Sequence, residues 1–207
     1  MAGTIICYGD SNTYGYDPQL GGSGRYEAND RWTGILKQRL EEKLENHGIC
    51  GRYIPHTPGQ LNVVCSEVST WIEREGAISL WIMLGTNDLL QSSGFTAEAA
   101  AARMEVFLER LQKEVTECGR ADKMRIRLIA PPLMQYGAWV NEERIYQESR
   151  RLGSAYQRLA EKWQLDFNDA GKWELPVAFD GVHLSVEGHR KFAECLLDTL
   201  RQEQKQI

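Results

Sequence analysis

The sequence predicts a single α/β domain in which helices cover both faces of a parallel sheet. Short apolar segments rich in β-branched residues alternate along the chain with amphipathic segments of helical period, an order that is typical of parallel sheets. The 207 residues are 42% hydrophobic and 26% charged, which supports one substantial core and argues against disorder. We therefore expect residues 1–207 to form one domain.

The first half of the chain contains three predicted strands and one predicted helix. Thr4–Tyr8 is short, apolar and uninterrupted, as a strand covered on both faces should be. Residues 31–47 carry apolar side chains at helical spacing with charge on the opposite face, so they predict one long helix. A short second strand is predicted at Arg52–Ile54, where Pro55 ends it, and Ala77–Leu84 gives the strongest strand signal.

The second half of the chain predicts three long helices and two strands. The first helix begins after Thr96, whose hydroxyl suits an N-cap, and ends at Gly119. A strand at 125–130 and a helix at 141–163 follow. After them come a weak strand at 165–169 and a closing helix at 185–200, which Ser185 caps.

The composition argues against several classes of partner. The formal net charge is -5, and no block of Lys and Arg is present, so neither nucleic acid nor an anionic membrane surface is an expected partner. No apolar run approaches the ~20 residues that span a bilayer, and no signal peptide is evident. The 5 scattered cysteines lack CxxC spacing, which predicts free thiols in the cytoplasm. Neither a metal nor an organic cofactor is expected.

Three polar clusters occupy the positions where α/β proteins place their sites. Residues 9–12 and 85–88 directly follow two predicted strands, and residues 180–183 precede the closing helix. Ligand sites of such folds form at the carboxyl ends of parallel strands. We therefore expect the three clusters to meet at one edge of the sheet.

The side chains of these clusters suit nucleophilic catalysis. A serine hydroxyl such as that of Ser11 needs a base, and His183 offers an imidazole, the side chain that most often takes this role. Asp180, three residues earlier, can orient the imidazole, while the N–H of Ser11 and the side-chain amide of Asn87 can hold an oxyanion. Taken alone, Ser11 would be interpreted as a helix cap. Asp180 and His183 could alternatively be metal ligands, but the sequence offers no third ligand at a clear spacing from them. Together the clusters predict a catalytic triad.

The motifs "YGDSNTYG", "IMLGTND" and "DGVHLS" resemble three of the four signature blocks of the SGNH (GDSL) hydrolases. The resemblance extends from Cys7 to His189 and implies a three-layer α/β/α sandwich with a flavodoxin-like parallel sheet. It assigns the nucleophile to Ser11, an oxyanion donor to Asn87, and the rest of the triad to Asp180 and His183. "GYDP" and "DRWTGIL" are similar to the bacterial arylesterase and acyltransferase branch, whose members often form oligomers, so a homo-oligomer is also implied.

The second signature block departs from the pattern of that branch. There, a stretch resembling "EGLxGRT" supplies a glycine N–H as a third oxyanion donor; here the corresponding stretch is "YIPHTPGQLNVV". Gly59 is the glycine nearest to the donor position of that motif. If the alignment is shifted by one residue, Gln60 takes the donor position and Thr57 takes the position of the first glycine of the motif. The link to the next strand is also short. The resemblance therefore implies Gly59 as the third donor, with Gln60 as the alternative.

The expected function is that of a serine esterase acting on small-molecule esters with short acyl groups. A carbohydrate O-deacetylase, an acyltransferase and a thioester hydrolase could use the same residues. A non-catalytic module that binds an acylated ligand is the alternative from another class. Trp139, between a predicted strand and a helix, is expected to be exposed and to border the acyl or alcohol pocket.

Overall fold

The fold is built on a parallel sheet whose strands lie in the order β2-β1-β3-β4-β5. The computed structural model describes residues 3–22, 24–91 and 94–205, and all statements about the fold refer to these residues. The strands, in chain order, are β1 (Thr4–Gly9), β2 (Leu44–Gly48), β3 (Ile78–Met83), β4 (Met124–Ala130) and β5 (Asp166–Asp169). All neighbouring strands are parallel, as the alternation of strands and helices predicts.

Helices connect the strands and cover the sheet. They are α1 (Ser11–Tyr14), α2 (Trp32–Arg39), α3 (Pro58–Glu75), α4 (Thr86–Gln91), α5 (Ala97–Glu117), α6 (Glu143–Trp163) and α7 (Val186–Gln204). Single turns of 3-10 helix occur at Ala28–Asp30, Ala121–Lys123 and Ala170–Lys172. The predicted N-caps Thr96 and Ser185 each accept a backbone hydrogen bond at the start of their helices.

Two apolar cores lie on the two faces of the sheet. One packs β1, β3 and β4 against α3, α5 and α6, with Phe107 and Tyr156 fully buried. The other packs the opposite face against α2 and α7, with Trp32 and Phe192 fully buried. Burial of each such side chain contributes about 1.5–3 kcal/mol to stability. The predicted three-layer sandwich is confirmed.

The prediction of one long helix over residues 31–47 is wrong. Helix α2 ends at Arg39, and Leu44–Gly48 forms strand β2 on the edge of the sheet. Leu44 does follow the helical spacing, but it pairs with Ile5 of β1 and is buried there. Pairing with the open edge of β1 therefore outweighs the helical pattern, as tertiary contacts often outweigh local propensity. The strand predicted at Arg52–Ile54 is absent from the described sheet.

Helix α3 is not among the predicted elements, although its first residues carry a helix-start signal. Thr57 is its N-cap and Pro58 its first residue, and the side chains of Thr57 and Gln60 form a reciprocal capping box. This T-P-x-Q pattern, followed by apolar residues at helical spacing, is a helix start that the sequence does contain. The short link to β3 is therefore an ordinary crossover helix.

Two further predictions concern membrane-spanning segments and the state of the cysteines. No helix among the described residues has both the length and the hydropathy needed to cross a membrane. All five cysteines are free thiols, as predicted.

Candidate active site

The register of the sheet brings two of the polar clusters to one edge. Gly9, the last residue of β1, pairs with Met83, the last residue of the neighbouring strand β3. The turns that carry Ser11 and Asn87 follow directly after these residues. The two clusters therefore start side by side at the carboxyl edge, as expected for parallel strands.

The turn after β1 places Ser11 at the start of a single helical turn. The side chain of Asp10 caps this turn by accepting the N–H of Asn12 at 2.9 Å. Gly9 has no room for a side chain, because a Cβ there would lie 2.0 Å from Oγ1 of Thr13. The turn ends at once, since Gly15 adopts the left-handed conformation (φ 86°). This short turn holds Ser11 rigidly at the sheet edge.

Ser11, His183 and Asp180 form a continuous chain of hydrogen bonds. Nε2 of His183 lies 2.9 Å from Oγ of Ser11, and Nδ1 of His183 lies 2.6 Å from Oδ2 of Asp180. All three residues are buried, with exposed fractions of 6% or less. Serine, imidazole and carboxylate thus stand in the order that nucleophilic catalysis requires.

The carboxylate of Asp180 is held in its charged form. Burial alone would raise its pKa, but hydrogen bonds from the His183 side chain and from the backbone N–H groups of His183 and Val182 lower the pKa below its ordinary value. Both backbone bonds end on Oδ1, at 2.9 and 3.0 Å, which leaves Oδ2 for the imidazole. An ionised Asp180 fixes the proton of His183 on Nδ1 and leaves Nε2 as the base.

Asn12 connects the serine turn to the histidine loop, a role that the sequence did not reveal. Its Nδ2 donates to the carbonyl of Val182 at 3.1 Å, and its Oδ1 accepts the N–H of Leu184 at 2.8 Å. Trp32 adds a third bond, from Nε1 to the carbonyl of Asn12 at 2.9 Å. Asn12 thereby binds the chain on both sides of His183 while it adjoins Ser11. No spacing rule in the sequence points to this contact.

Asn87 lies at the start of α4 and is bound to the segment that precedes α3. Its Nδ2 donates to the carbonyl of Arg52 at 3.0 Å, and the next residue, Asp88, accepts the N–H of Ile54 at 3.0 Å. The amide carries a second N–H, for which no acceptor is found among the described residues. The N–H of Ser11 likewise has no acceptor there. These are the two donors that the sequence proposed for an oxyanion.

The structure gives Gly59 no contact with the other predicted site residues. Gly59 lies in the first turn of α3 and lines a surface groove of about 580 Å³ whose other lining residues include Tyr8 and Arg52 but neither Ser11 nor His183. The alternative donor Gln60 has its N–H bonded to Oγ1 of Thr57. The N–H of Gln60 is therefore engaged in the cap of α3, and a third donor at Gly59 stays a prediction.

The segment from 52 to 57, which runs past Asn87, offers few free N–H groups of its own. The N–H of Arg52 donates to Ile49 O and that of Ile54 to Asp88. Those of His56 and Thr57 donate to the Gln60 side chain. Pro55 has no N–H. In this segment, only Tyr53 has an N–H without an acceptor among the described residues.

Two aromatic rings contact the imidazole of His183. The ring of Tyr16 lies 4.7 Å away and that of Trp139 lies 5.1 Å away, both measured between ring centroids. Trp139 is 52% exposed, as its position between a strand and a helix predicts, and Tyr16 is partly buried. The imidazole of His183 thus packs against two aromatic rings and also contacts the hydroxyl of Ser11.

Two buried ionisable groups, Asp10 and His189, lie near the residues of the candidate site. Burial raises the pKa of Asp10 to about 6, and Oδ2 of this residue has no hydrogen-bond partner among the described residues. Burial and the charge of Arg31 lower the pKa of His189 to about 3, so His189 is neutral at physiological pH. The bond from the N–H of Asn12 gives Asp10 a structural role in the turn after β1.

The residues that could bind a metal are engaged elsewhere. The described residues contain no group of three or more His, Cys, Asp or Glu side chains placed to hold a metal ion. Asp180 and His183 bond to one another, and His183 bonds to Ser11. This arrangement suits proton transfer at Ser11.

The chain matches the GDSL-like lipase/acylhydrolase family over residues 7–191. No curated protein sequence gives a significant match. Among solved structures, a carbohydrate acetylesterase family member from Sinorhizobium meliloti is 27% identical, with a TM-score of 0.77 and 98% of each chain covered. A protein from Agrobacterium tumefaciens str. C58 that has been proposed as an arylesterase is 26% identical, with a TM-score of 0.82, over 98% of this chain and 99% of that one.

A third solved structure, that of the M. smegmatis aryl esterase, shares the fold. It is 24% identical, with a TM-score of 0.83, and the match covers 97% of this chain and 99% of that one. These matches confirm the resemblance that the three sequence motifs indicated.

Proposed function

The chain belongs to the GDSL-like lipase/acylhydrolase family and is a carboxylic ester hydrolase, and on this basis we propose that it is a serine esterase acting through Ser11, His183 and Asp180. The observation that carries the proposal is the pair of contacts at His183, 2.9 Å to the serine hydroxyl and 2.6 Å to the carboxylate. A serine becomes a useful nucleophile when a base takes its proton, and these contacts supply the base and its orienting partner.

The first half of the proposed reaction forms an acyl-enzyme. Oγ of Ser11 attacks the ester carbonyl carbon while Nε2 of His183 takes the hydroxyl proton. The carbonyl oxygen becomes an oxyanion, which the N–H of Ser11 and the side-chain amide of Asn87 bind. The tetrahedral intermediate then collapses, His183 returns its proton to the leaving oxygen, and the alcohol departs.

The second half releases the acyl group. Water takes the place of the alcohol, gives a proton to Nε2 of His183 and attacks the acyl carbon. The bond to Oγ of Ser11 breaks, and His183 returns the proton to the serine. An alcohol in place of this water would make the reaction an acyl transfer, which the same residues support.

The proposed oxyanion site uses two donors and omits Gly59. Each donor has an N–H without another acceptor among the described residues and lies in a turn at the carboxyl edge of the sheet, whereas Gly59 lines a groove that reaches neither Ser11 nor His183. Loss of one donor from such a site typically costs about 100-fold or more in turnover. In a site with two donors, Asn87 supplies one of the two, so its loss should slow turnover strongly.

The proposed substrates are esters of short acyl groups. The relatives named above include a carbohydrate acetylesterase family member and a protein proposed as an arylesterase, which supports small acyl groups and leaves the alcohol open. The rings of Tyr16 and Trp139 beside the imidazole of His183 favour an alcohol with an apolar surface. A cytoplasmic location and a homo-oligomer stay predictions.

Hydrolysis of p-nitrophenyl acetate, butyrate and octanoate by the wild type and by Ser11→Ala tests the proposal. We expect activity that falls with acyl length and is lost in the variant, with an unchanged melting temperature. Turnover by Ser11→Ala equal to that of the wild type would refute the assignment of the nucleophile. A wild type that hydrolyses none of the esters and whose Ser11 resists a fluorophosphonate would favour the non-catalytic binding module.

A further inference from the structure

An exposed indole lies directly against the reactive histidine. The rings of Trp139 and His183 are 5.1 Å apart between centroids, with an interplanar angle of 81°. Half of the Trp139 side chain faces solvent, whereas His183 is 3% exposed. Of the two aromatic neighbours of the imidazole, Trp139 therefore presents the larger free surface at the mouth of the site.

The backbone fixes this indole to the loop that carries Asp180. The N–H of Trp139 donates to the carbonyl of Asp180 at 3.0 Å, and the N–H of Ala138 donates to Phe179 O at 3.1 Å. The two segments approach so closely that a Cβ on Gly137 would lie 2.5 Å from the carbonyl carbon of Asp180. Trp139 is thus an exposed side chain on an anchored backbone, and a ligand finds it already in place.

A second large aromatic side chain is exposed on the facing segment. Phe179, one residue before Asp180, has 62% of its surface exposed. Single exposed apolar residues are ordinary on protein surfaces, but neighbouring ones beside a polar reactive centre are typical of ligand-binding clefts. The hydrogen bonds between the two segments place the backbones of Trp139 and Phe179 next to Asp180, and only the ring of Trp139 packs on His183.

The chemistry places the alcohol part of an ester next to Trp139. In the proposed reaction, Nε2 of His183 gives its proton to the leaving oxygen, so this oxygen must lie within hydrogen-bond distance of the imidazole. The atoms attached to the leaving oxygen are then the part of the substrate nearest to the side chains that pack on His183. The carbonyl oxygen points elsewhere, towards the N–H of Ser11.

We propose that Trp139 determines the specificity for the alcohol and that the natural ester joins a short acyl group to a cyclic alcohol whose ring stacks on the indole. The inference rests on the proposed function. A flat indole face complements another flat apolar face, whether that of an aromatic ring or the C–H face of a sugar ring. An acyclic alcohol of the same acidity gains less from this contact because it covers less of the face.

A purely structural role for Trp139 makes a different prediction. If the indole only orients His183, its removal slows proton transfer to every leaving group, and all esters lose activity by the same factor. If it binds the ring of the alcohol, the loss is confined to ring-bearing esters. The two roles are therefore separated by comparing substrates with the same acyl group.

The test measures kcat/KM for three acetates of primary alcohols: propyl acetate, benzyl acetate and methyl 6-O-acetylglucopyranoside. We expect Trp139→Ala to lower kcat/KM by about tenfold for at least one ring-bearing ester, which corresponds to about 1.4 kcal/mol, and to leave propyl acetate nearly unchanged. Trp139→Phe should retain most of the preference. The benzyl and sugar arms identify the kind of ring.

Tyr136→Ala is the matched control. Tyr136 lies in the same loop and is 57% exposed, but its ring stacks on Tyr146 at 5.2 Å instead of on His183. This variant should keep the preference of the wild type between ring-bearing and acyclic esters. An equal loss of that preference in Tyr136→Ala would overturn the assignment to Trp139.

Two results separate the failure of this inference from the failure of the proposed function. Equal losses on all three esters in Trp139→Ala, with hydrolysis still dependent on Ser11, overturn the inference alone. A ligand-detected NMR titration of Ser11→Ala gives a second readout that needs no turnover. There the preferred ring-bearing acetate should bind about tenfold more tightly than propyl acetate, and the further change Trp139→Ala should abolish the difference. Equal binding would overturn the inference whatever the hydrolysis assay shows.

Discussion

Asn12 binds the peptide groups on both sides of His183, accepting the N–H of Leu184 and donating to the carbonyl of Val182. These bonds join segments that are 170 and 172 residues apart in the chain. Because Asn12 also adjoins Ser11, its bonds connect the segment of the proposed nucleophile to that of the proposed base. The alignment of the triad therefore depends on a residue that takes no part in the proposed chemistry.

The first prediction concerns this positioning residue. Asn12→Ala leaves the buried N–H of Leu184 and the carbonyl of Val182 unpaired, each at about 1–3 kcal/mol of stability. A shift of the base by about 1 Å costs on the order of 100-fold in rate, so kcat should fall by about that factor. Steady-state kinetics and urea unfolding measure both effects.

Asn46→Ala is the control for Asn12→Ala. Nδ2 of Asn46 donates to the carbonyl of Thr13, on the turn that carries Ser11, and to the hydroxyl of Thr33 in α2, with no bond to the histidine loop among the described residues. It should lose stability while its kcat stays close to that of the wild type. If Asn12→Ala also keeps its kcat, Asn12 does not position the base.

The second prediction concerns the carboxylate partner of His183. In Asp180→Asn, the amide cannot hold the imidazole in the required tautomer or stabilise its positive charge. We expect turnover to fall by about 10⁴-fold, the scale of this effect in triads of the same kind, with the fold intact by circular dichroism. A rate within tenfold of the wild type would remove Asp180 from the mechanism.

The third prediction compares the oxyanion donors. Asn87→Ala should lower kcat by about 100-fold or more with a smaller effect on KM, because the lost bond strengthens in the transition state. Gly59→Pro removes the N–H of Gly59 at a position in the first turn of a helix where proline is tolerated. This variant should turn over normally, and a loss comparable to that of Asn87→Ala would restore Gly59 as a donor.

The fourth prediction concerns the stability contributed by Asp10. Because burial raises its pKa from 3.8 to about 6, the folded protein holds a proton on Asp10 more tightly than the unfolded chain does. The free energy of unfolding should therefore fall as the pH rises from about 4 to about 6. Asp10→Asn carries no such titration, so its stability relative to the wild type should rise by up to about 3 kcal/mol across this window. Urea unfolding at pH 4 and pH 7 measures the change, and a constant difference would contradict it.

The fifth prediction has the opposite sign and concerns His189. Burial lowers its pKa from 6.5 to about 3, so the unfolded chain binds the proton more tightly than the folded protein does. The stabilising contribution is complete above pH 6.5 and is lost as the pH falls towards 3, by up to about 5 kcal/mol. His189→Gln should thus be less sensitive to acid than the wild type in the same unfolding assay. Equal acid sensitivity of the two proteins would show that folding does not lower the pKa of His189.

The sequence sufficed for strands β1, β3, β4 and β5 and for the polar clusters, because each of these is a local pattern. The apolar strand β3 and the motifs around Ser11, Asn87 and His183 can be identified without knowledge of the fold. Strand β2 could not be identified in this way, because Leu44 follows a helical spacing and becomes part of a strand only through pairing with Ile5.

The contacts that align the site could not be predicted from the sequence either. The bonds of Asn12 to residues near His183 connect distant segments, and no local pattern specifies them. Helix α3 is different, since Thr57, Pro58 and Gln60 form a recognisable helix start. Gly59 lies inside this helix start, so the glycine that the second signature block requires coincides here with the first turn of a helix.

The most direct test of the account is the site at which a fluorophosphonate, a covalent probe of activated serines, becomes attached. Peptide mapping of the labelled protein by mass spectrometry should place the probe on Ser11, and labelling should be lost in Ser11→Ala and greatly slowed in Asp180→Asn. Labelling of a different serine, or an equal rate of labelling in Asp180→Asn, would contradict a nucleophile activated by His183 and Asp180.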